Sequence, residues 1–482
     1  MLDFTGLPKQ WLIAPELADD PVAGKRDAFA GWQIAAAQAV PILRLCDAAG
    51  AQVGRLIGWV IDGADFHRAD GTLTLADGEP PEDRFARLAG RFVMLWRGGD
   101  GRVRLREDAA GGLPAIHAPE MRAVGATVTA LDQLGTLPVD PDIEAIFDFP
   151  ARRGFLPFGL TPRRGARRLM PSHELTLDDF ITARIWPDSA LCTRPELNEV
   201  QIARLVDEAA EILRRHLAAL LGQGETVLYL SGGNDSRIIL AAARGSDRLR
   251  AETLGDARTL EVHVAARVAR RAGLAHRAVP VLPTADADVA AWLSRSGRMM
   301  YDPVTHLATT AVANDPGTQP LTGTGAELTR ATNWTAEDAA QPVLDLPRLL
   351  ARVRMPDDPR IRRAGQDWLD VLPSADAAMA LDLAKIEQIH GCWSGAAVYG
   401  HPLARPSMSP FSGQRLNTIA LALPTSYRLA NGFFPDVMRR LWPDLLEVPV
   451  NRASGLTRLR FWKSEARHLV PAGVKRALKP LR

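Results

Sequence analysis

A chain of 482 residues is longer than a single hydrophobic core usually grows, so two domains are expected. Hydrophobic residues at 46% and charged residues at 24% exclude a disordered chain, and a net charge of +2 excludes a general pull toward nucleic acid or membrane. Cys46, Cys192 and Cys392 form no C-x-x-C pair and the ten histidines no H-x-x-x-H or H-E-x-x-H cluster, which excludes a disulfide framework and a protein-built zinc site.

The N-terminal stretch "MLDFTGLPKQWLIAPELADD" carries an early acid and no long apolar core, unlike a secretory signal. No apolar run approaches the roughly 20 residues of a membrane helix, so a cytoplasmic protein without a membrane partner is expected. Residues 1–190 read as short strands and turns. Phe92–Trp96, the turn Gly98-Gly99-Asp100-Gly101 and the alternating Val103 and Leu105 outline a hairpin. Both "RLIGWVIDG" and "RRLMPSHELTLDDFITARIWPDS" are strand-like.

From Pro195 to Gly222 the period becomes helical, with Ile202, Leu205, Val206, Ala209, Ile212, Leu213, Leu217 and Leu220 on one face. A strand over 226–230, a polar junction, a helix over 237–244, a strand "LRAETLG", a helix over 259–272 and a third strand "HRAVPV" follow. Strand alternating with helix is the mark of a parallel sheet covered on both faces. Residues 335–482 read as helices broken by prolines. Their end is basic: from Asn451 onward nine Lys or Arg face one acid, Glu465. A solvated tail helix accounts for that run; a surface for an anionic ligand is the sharper reading. The boundary between domains is placed at 192/193.

The junction "LSGGNDSR" carries the chemistry. A strand that feeds a helix through glycines gathers several backbone N–H groups around one hollow, and the helix start adds uncompensated amides. A phosphate fits there. Gly232 and Gly233 can take positive φ and leave room for ligand oxygens to approach the backbone, while Ser231 and Ser236 offer hydroxyls. Asp235 would repel a phosphate directly and favour it through magnesium. The same residue types also serve as ordinary turn and cap residues.

"LSGGNDSR" resembles the PP-loop of the ATP-pyrophosphatase families, specifically the asparagine synthetase-like enzymes. "LTGTGAEL", residues 321–328, resembles that family's second acidic loop, with Glu327 where an aspartate usually binds magnesium. "GRFVMLWRGGDGRVRLREDAAGGLPAIH" and "RRLMPSHELTL" resemble its glutaminase-type domain, and "FPDVMRRLWPDLLEVPVNRASG" its C-terminal helix and loop. The resemblance implies an α/β protein in two parts. Residues 1–192 would be a degenerate, β-rich (αββα) Ntn-hydrolase-like domain, and 193–482 a Rossmann-like parallel α/β synthetase domain with a helical C-terminal part.

It also implies ATP and Mg2+ as cofactors. Leu230, Ser231, Gly232, Gly233, Asn234, Asp235, Ser236, Thr253, Gly323 and Gly325 would bind ATP and its pyrophosphate, Gly323 and Gly325 by letting the second loop approach the nucleotide. Asp235 and Glu327 would hold the metal. Glutamine-using members work through a cysteine at the first mature residue; here the chain begins Met1-Leu2-Asp3, so a silent glutaminase is expected and Asp108 is read as structural.

That pattern resembles the branches that close an amide without glutamine: the β-lactam and carbapenam synthetases and the lasso peptide cyclases. In β-lactam formers a Tyr of the second loop pairs with a helix Glu and a C-terminal Lys. Here Thr324 takes the Tyr position, Glu387 matches the helix Glu, and Arg452, Arg458 or Lys463 stands in for the Lys, whose own position carries Ser454. Glu387, Thr324, Arg452 and Lys463 are therefore the catalytic candidates, and the altered trio favours the lasso cyclase branch. Its substrate would be the core of a precursor peptide, with a leader peptidase or leader-binding protein as a further partner. Trp334, Trp368, Trp393 and Tyr399 are read as core side chains or as the lining of a peptide cleft. Glu261 sits where the family often has an acid. An ammonia-using amidating enzyme, a tRNA-modifying PP-loop protein and a non-catalytic scaffold stay open as alternatives; nucleic acid is not the expected partner.

Overall fold

The computed structural model describes residues 1–17, 20–147, 154–193, 196–281, 284–301, 317–373, 376–453 and 461. The chain is a mixed α/β protein. Its first part is a sandwich of two sheets. One holds six strands in the order Arg167–Arg168, Ile116–Ala118, Ala123–Gly125, Trp11–Ala14, Trp32–Ala37 and Gly24–Phe29. The other runs Ile181–Arg184, His173–Thr176, Val103–Glu107, Leu88–Arg97, Gln52–Asp62, Ile42–Cys46 and Gly71–Thr74, with Asp65–His67 beside Gln52–Asp62.

The alternation of strand side chains decides the packing. Ile57, Trp59 and Ile61, with Val93 and Leu95 opposite, face the six-stranded sheet. Leu56 and Val60, with Phe92, Met94 and Trp96, point the other way onto Phe85 of the helix Pro81–Arg87. The expected hairpin is present, with Val93↔Glu107 and Leu95↔Leu105 in register and Gly101 at φ +81° in its turn. Among the described residues the helices of this part run seven residues or fewer, so its own helices form only a thin layer over the sheets. The helix Glu199–Leu221, from the second part of the chain, lies against the Gln52–Asp62 strand where an outer layer was expected.

That helix starts at Glu199 rather than 195, because Asn198 and Gln201 form a capping box there. It buries Val206, Ala209, Leu213, Leu217 and Leu220 as its period requires. The parallel sheet follows in the order His276–Val279, Leu249–Leu254, Thr226–Tyr229, Gln319–Leu321. Leu228 pairs with Ala251 on one side and Leu321 on the other. The helical remainder starts its helices at aspartates: Asp345, Asp358 and Asp376 accept from the amides of Arg348, Arg360 and Met379.

One hydrophobic core runs from Leu2 to Phe461 through both parts. Buried polar groups lock them together: Arg91 donates to the Ser407 carbonyl at 2.6 Å, Gly90 N to Ser412 Oγ at 2.8 Å, and Arg168 to the Gly391 carbonyl at 2.6 Å. Lys9 is buried with its ammonium on the carbonyls of His401 and Leu403, and burial pulls its pKa down to about 7. Among the described residues no helix is long and apolar enough to cross a membrane.

Candidate active site at the carboxyl edge of the parallel sheet

The chain leaves strand Thr226–Tyr229 for a neighbour on one side and returns at Gln319–Leu321 on the other. Sheet order therefore reverses between these two strands, and in open parallel sheets the loops after the carboxyl ends of such strands are where ligands bind. Those loops are 230–234 and 322–327, the two that the sequence singles out.

In the first loop the hydroxyls organise the backbone. Ser231 N donates to Ser236 Oγ at 2.9 Å, the two Oγ atoms lie 3.0 Å apart, and Gly233 N donates to Ser231 Oγ at 3.2 Å. Leu230 is buried; its N–H bonds Glu252 O and its carbonyl accepts from Thr253 Oγ1 at 2.6 Å. Thr253, itself 2.9 Å from His276 Nε2, thus braces the loop from behind. Neither Gly232 nor Gly233 uses the positive φ open to it. Gly232 is needed for close approach instead: a Cβ there would lie 3.1 Å from Asn451 Oδ1 and 3.2 Å from Val264. Asn234 opens the helix Asp235–Ala242, with its Oδ1 buried and unpaired among the described residues.

The second loop is wrapped tightly onto the first. A Cβ at Gly323 would meet Asp235 Cβ at 2.8 Å and Ser236 N at 2.9 Å, so this glycine is what lets the two loops touch. Gly325 takes φ +101° and packs on Phe411. Its N–H donates to Glu327 Oε2 at 2.8 Å. Thr324 lies between them, its carbonyl accepting from Ser409 Oγ at 2.6 Å and its hydroxyl from Thr322 at 3.3 Å.

Asp235 and Glu327 come close enough for each to sense the other's charge, and each is answered by cations of the chain. Arg330 grips Asp235 with both nitrogens, at 2.5 and 2.8 Å. Burial raises the Asp235 pKa against that guanidinium, and Glu327 adds to the rise. His390 Nε2 lies 3.0 Å and Lys385 Nζ 3.5 Å from Glu327 Oε1. Burial pushes the Glu327 carboxyl up, but the imidazole and the ammonium hold it well below the usual carboxylate range.

Two hard carboxylates match what Mg2+ usually takes from a protein when phosphates supply the other ligands, so the donor set fits that ion. No cluster of three metal-binding side chains occurs among the described residues, which limits the protein's share to these two. Both oxygens of Asp235 are on Arg330, so a divalent ion would have to displace that guanidinium.

Glu387 is not part of this site. It is fully buried, with both oxygens on Arg184 at 2.6 and 3.1 Å and Trp368 Nε1 at 2.6 Å, and it ties the helical part to the sandwich. Its pKa is lowered: burial raises it, and the charge and hydrogen bonds of Arg184, with the Trp368 hydrogen bond, outweigh that. Arg452 is exposed and follows Asn451, whose N–H bonds Gly232 O at 3.0 Å, so it stands beside the first loop. Lys463, Arg458, Ser454 and the rest of the basic tail lie outside the described residues.

Glu261 is exposed in the first turn of helix Leu260–Arg271, where its charge suits the helix N-terminus. Asp108 is fully buried and accepts from the amides of Phe92, Ala110, Gly112 and Leu113, a structural role. All three cysteines are buried. Trp334 and Trp393 line a cavity beside the second loop, whereas Trp368 and Tyr399 are core, the latter donating to Pro114 O.

Four residues of the site escaped the sequence. Arg330, Lys385 and His390 complete its charge, and buried Arg237 donates to Leu445 O and Val448 O while reaching Gly232 O, pinning the C-terminal loop to the first loop. Arg330 follows Glu327 by three residues, which is a usable signal. Lys385 and His390 are five apart and share a face because residues 385–395 form a π-helix, with i→i+5 bonds.

No protein-family model matches the chain, and no curated protein does. Among solved structures it is similar to glutamine-dependent NAD+ synthetase from Acinetobacter baumannii in complex with ADP, at 20% identity and a TM-score of 0.18. The match covers 33% of this chain and 30% of that one, so the chain spans less than a third of that enzyme.

Proposed function

We propose that the chain is an ATP-dependent, AMP-forming amide ligase that closes the macrolactam of a lasso peptide. The observation that carries the ligase reading is the convergence of two glycine-containing loops, each bearing an acid, at the point where the parallel sheet reverses its order. The choice of a peptide substrate rests on the resemblance described for the sequence and on the cavity beside the second loop.

The chemistry requires a carboxylate oxygen to attack the α-phosphorus of ATP, giving an acyl-adenylate and releasing pyrophosphate. A peptide amine then attacks that carbonyl; the amide forms, AMP leaves and the amine loses a proton. The first loop would receive the diphosphate on its backbone amides, and Ser231 and Ser236 hold that backbone in shape. Asp235 and Glu327 would hold Mg2+, which neutralises charge on the leaving pyrophosphate. Arg330, freed from Asp235, would face a phosphate oxygen, and Lys385 and His390 keep Glu327 ionised. Holding both reactants in line is the remaining task, worth several kcal/mol.

The test is incubation with MgATP and peptides having an N-terminal glycine and an Asp or Glu several residues along. AMP, pyrophosphate and a peptide lighter by one water are expected. ADP and phosphate as products would refute the reading. A product gaining one nitrogen from added ammonia would assign the chain to an amidating enzyme instead.

A further inference from the structure

A cavity of about 480 Å³ opens beside the second loop, within the range of small-ligand sites. Phe155, Ile389, Trp393 and Val353 give it apolar walls, and Lys385 lines it while also lying 3.5 Å from Glu327 Oε1. Arg354, exposed in the left-handed conformation that ends the helix Leu346–Val353, adds a positive charge at the wall. Arg352 also lines the cavity, but its guanidinium is already on the buried Asp338. No carboxylate occurs among the described residues that line it.

Lys385 faces the charges of both Glu327 and Asp235, yet its ammonium makes no hydrogen bond among the described residues. Its side chain is mostly buried, and its carboxylate neighbour, Glu327 Oε1, lies at 3.5 Å and is shared with His390 at 3.0 Å. An ammonium has three donors. A desolvated ammonium with donors to spare, set against aromatic walls, is complementary to a carboxylate carried next to an apolar side chain.

We infer that this cavity is the acceptor pocket for an acidic peptide segment: Lys385 receives the side-chain carboxylate of an Asp or Glu, and the walls formed by Phe155, Ile389 and Trp393 receive an adjoining apolar or aromatic side chain. The inference rests on the ligase reading for its meaning, because Lys385 would then present the carboxylate to the two loops. Lys385 acts here as a positioning residue. The pocket itself can be tested without ATP.

The probes are N-acetyl-aspartyl-phenylalanine amide and its asparaginyl counterpart, titrated into the full chain by calorimetry at millimolar concentration. The acidic peptide should bind roughly tenfold more tightly than the neutral one, the worth of one charge-assisted contact. Lys385→Gln should erase that difference and Lys385→Arg should keep it. Ala351→Trp, which fills the cavity from an exposed helix position, should abolish binding of both peptides and leave ATP binding intact.

Equal binding of the two peptides, binding of neither, or acidic-peptide binding that survives Ala351→Trp would overturn the pocket. If the acidic peptide binds as stated while pyrophosphate never forms, the pocket stands and the ligase reading falls. If pyrophosphate forms and the peptide KM ignores both Lys385→Gln and Ala351→Trp, the ligase stands and the pocket is overturned.

Discussion

Two arginine–carboxylate pairs, one in each part of the chain, use the same chemistry in opposite ways. Glu107 and Arg168 meet at 3.3 Å with side chains 0% and 1% exposed. Asp235 and Arg330 meet at 2.5 Å with side chains 30% and 24% exposed. The first pair has no water to fall back on, so each partner depends on the other, and Arg168 also donates to Gly111 O and Gly391 O. Burial even drives the Glu107 pKa up to about 7, against the pull of Arg168. The second pair sits beside the two loops, where either partner can exchange the other for a ligand, an ion or water. The charge pair inside the sandwich is sealed, and the one at the proposed site is left within reach.

The sharpest way to break this comparison is Asp235→Ala, expected to lower pyrophosphate release more than 1,000-fold, a loss of over about 4 kcal/mol in the reaction barrier. Retention of activity within tenfold would remove Asp235 from the site. Next come Arg168→Met and Arg330→Met, compared by urea denaturation. The first leaves a sealed carboxylate alone and should cost about 3–5 kcal/mol. The second should cost clearly less, because its partner's side chain is 30% exposed and can be partly hydrated. Equal losses would erase the distinction between the pairs.

A pH series sharpens it further. Burial pulls the pKa of His117 and of His173 from 6.5 down to about 4, so folding keeps both imidazoles neutral. In the unfolded chain they take protons at about 6.5. Stability present above that pH is therefore lost as pH falls from about 6.5 to 4, on the order of 3 kcal/mol for each. Below about 4.5 the lowered carboxyls of Glu327 and Glu387 add to the loss, since the unfolded chain protonates them first. His117→Gln should flatten the upper segment, and an unchanged slope in denaturation midpoints would contradict the assignment. The smallest effect is Thr253→Val, which removes a hydroxyl donor from Leu230 O and should cost about 1 kcal/mol, read from the same denaturation curves.

Much of the fold was legible because it rests on local periodicity. Alternation in Phe92–Trp96 and the three-four spacing of Val206, Ala209, Leu213 and Leu217 are properties of neighbours in sequence, and the strands and helix appear where those periods place them. The source of the outer helical layer was not legible, because a covering element can come from anywhere in the chain, and here Glu199–Leu221 supplies part of it. At the site, the two loops were legible from their glycines, hydroxyls and acids. The reasons for their glycines were not: Gly232 and Gly323 are set by Asn451, Val264 and Asp235, partners that only the folded chain brings near.

By itself the sequence determined which segments turn, which face inward, and which two loops carry acids, since propensity and period act over a few residues. The tertiary structure decided who answers those acids. Arg330 took Asp235, Lys385 and His390 took Glu327 through a π-helical turn, and Glu387 was drawn away to Arg184 across the join between the two parts. Charges find their partners by distance in space, and a one-dimensional spacing does not contain that distance until the chain has closed upon itself.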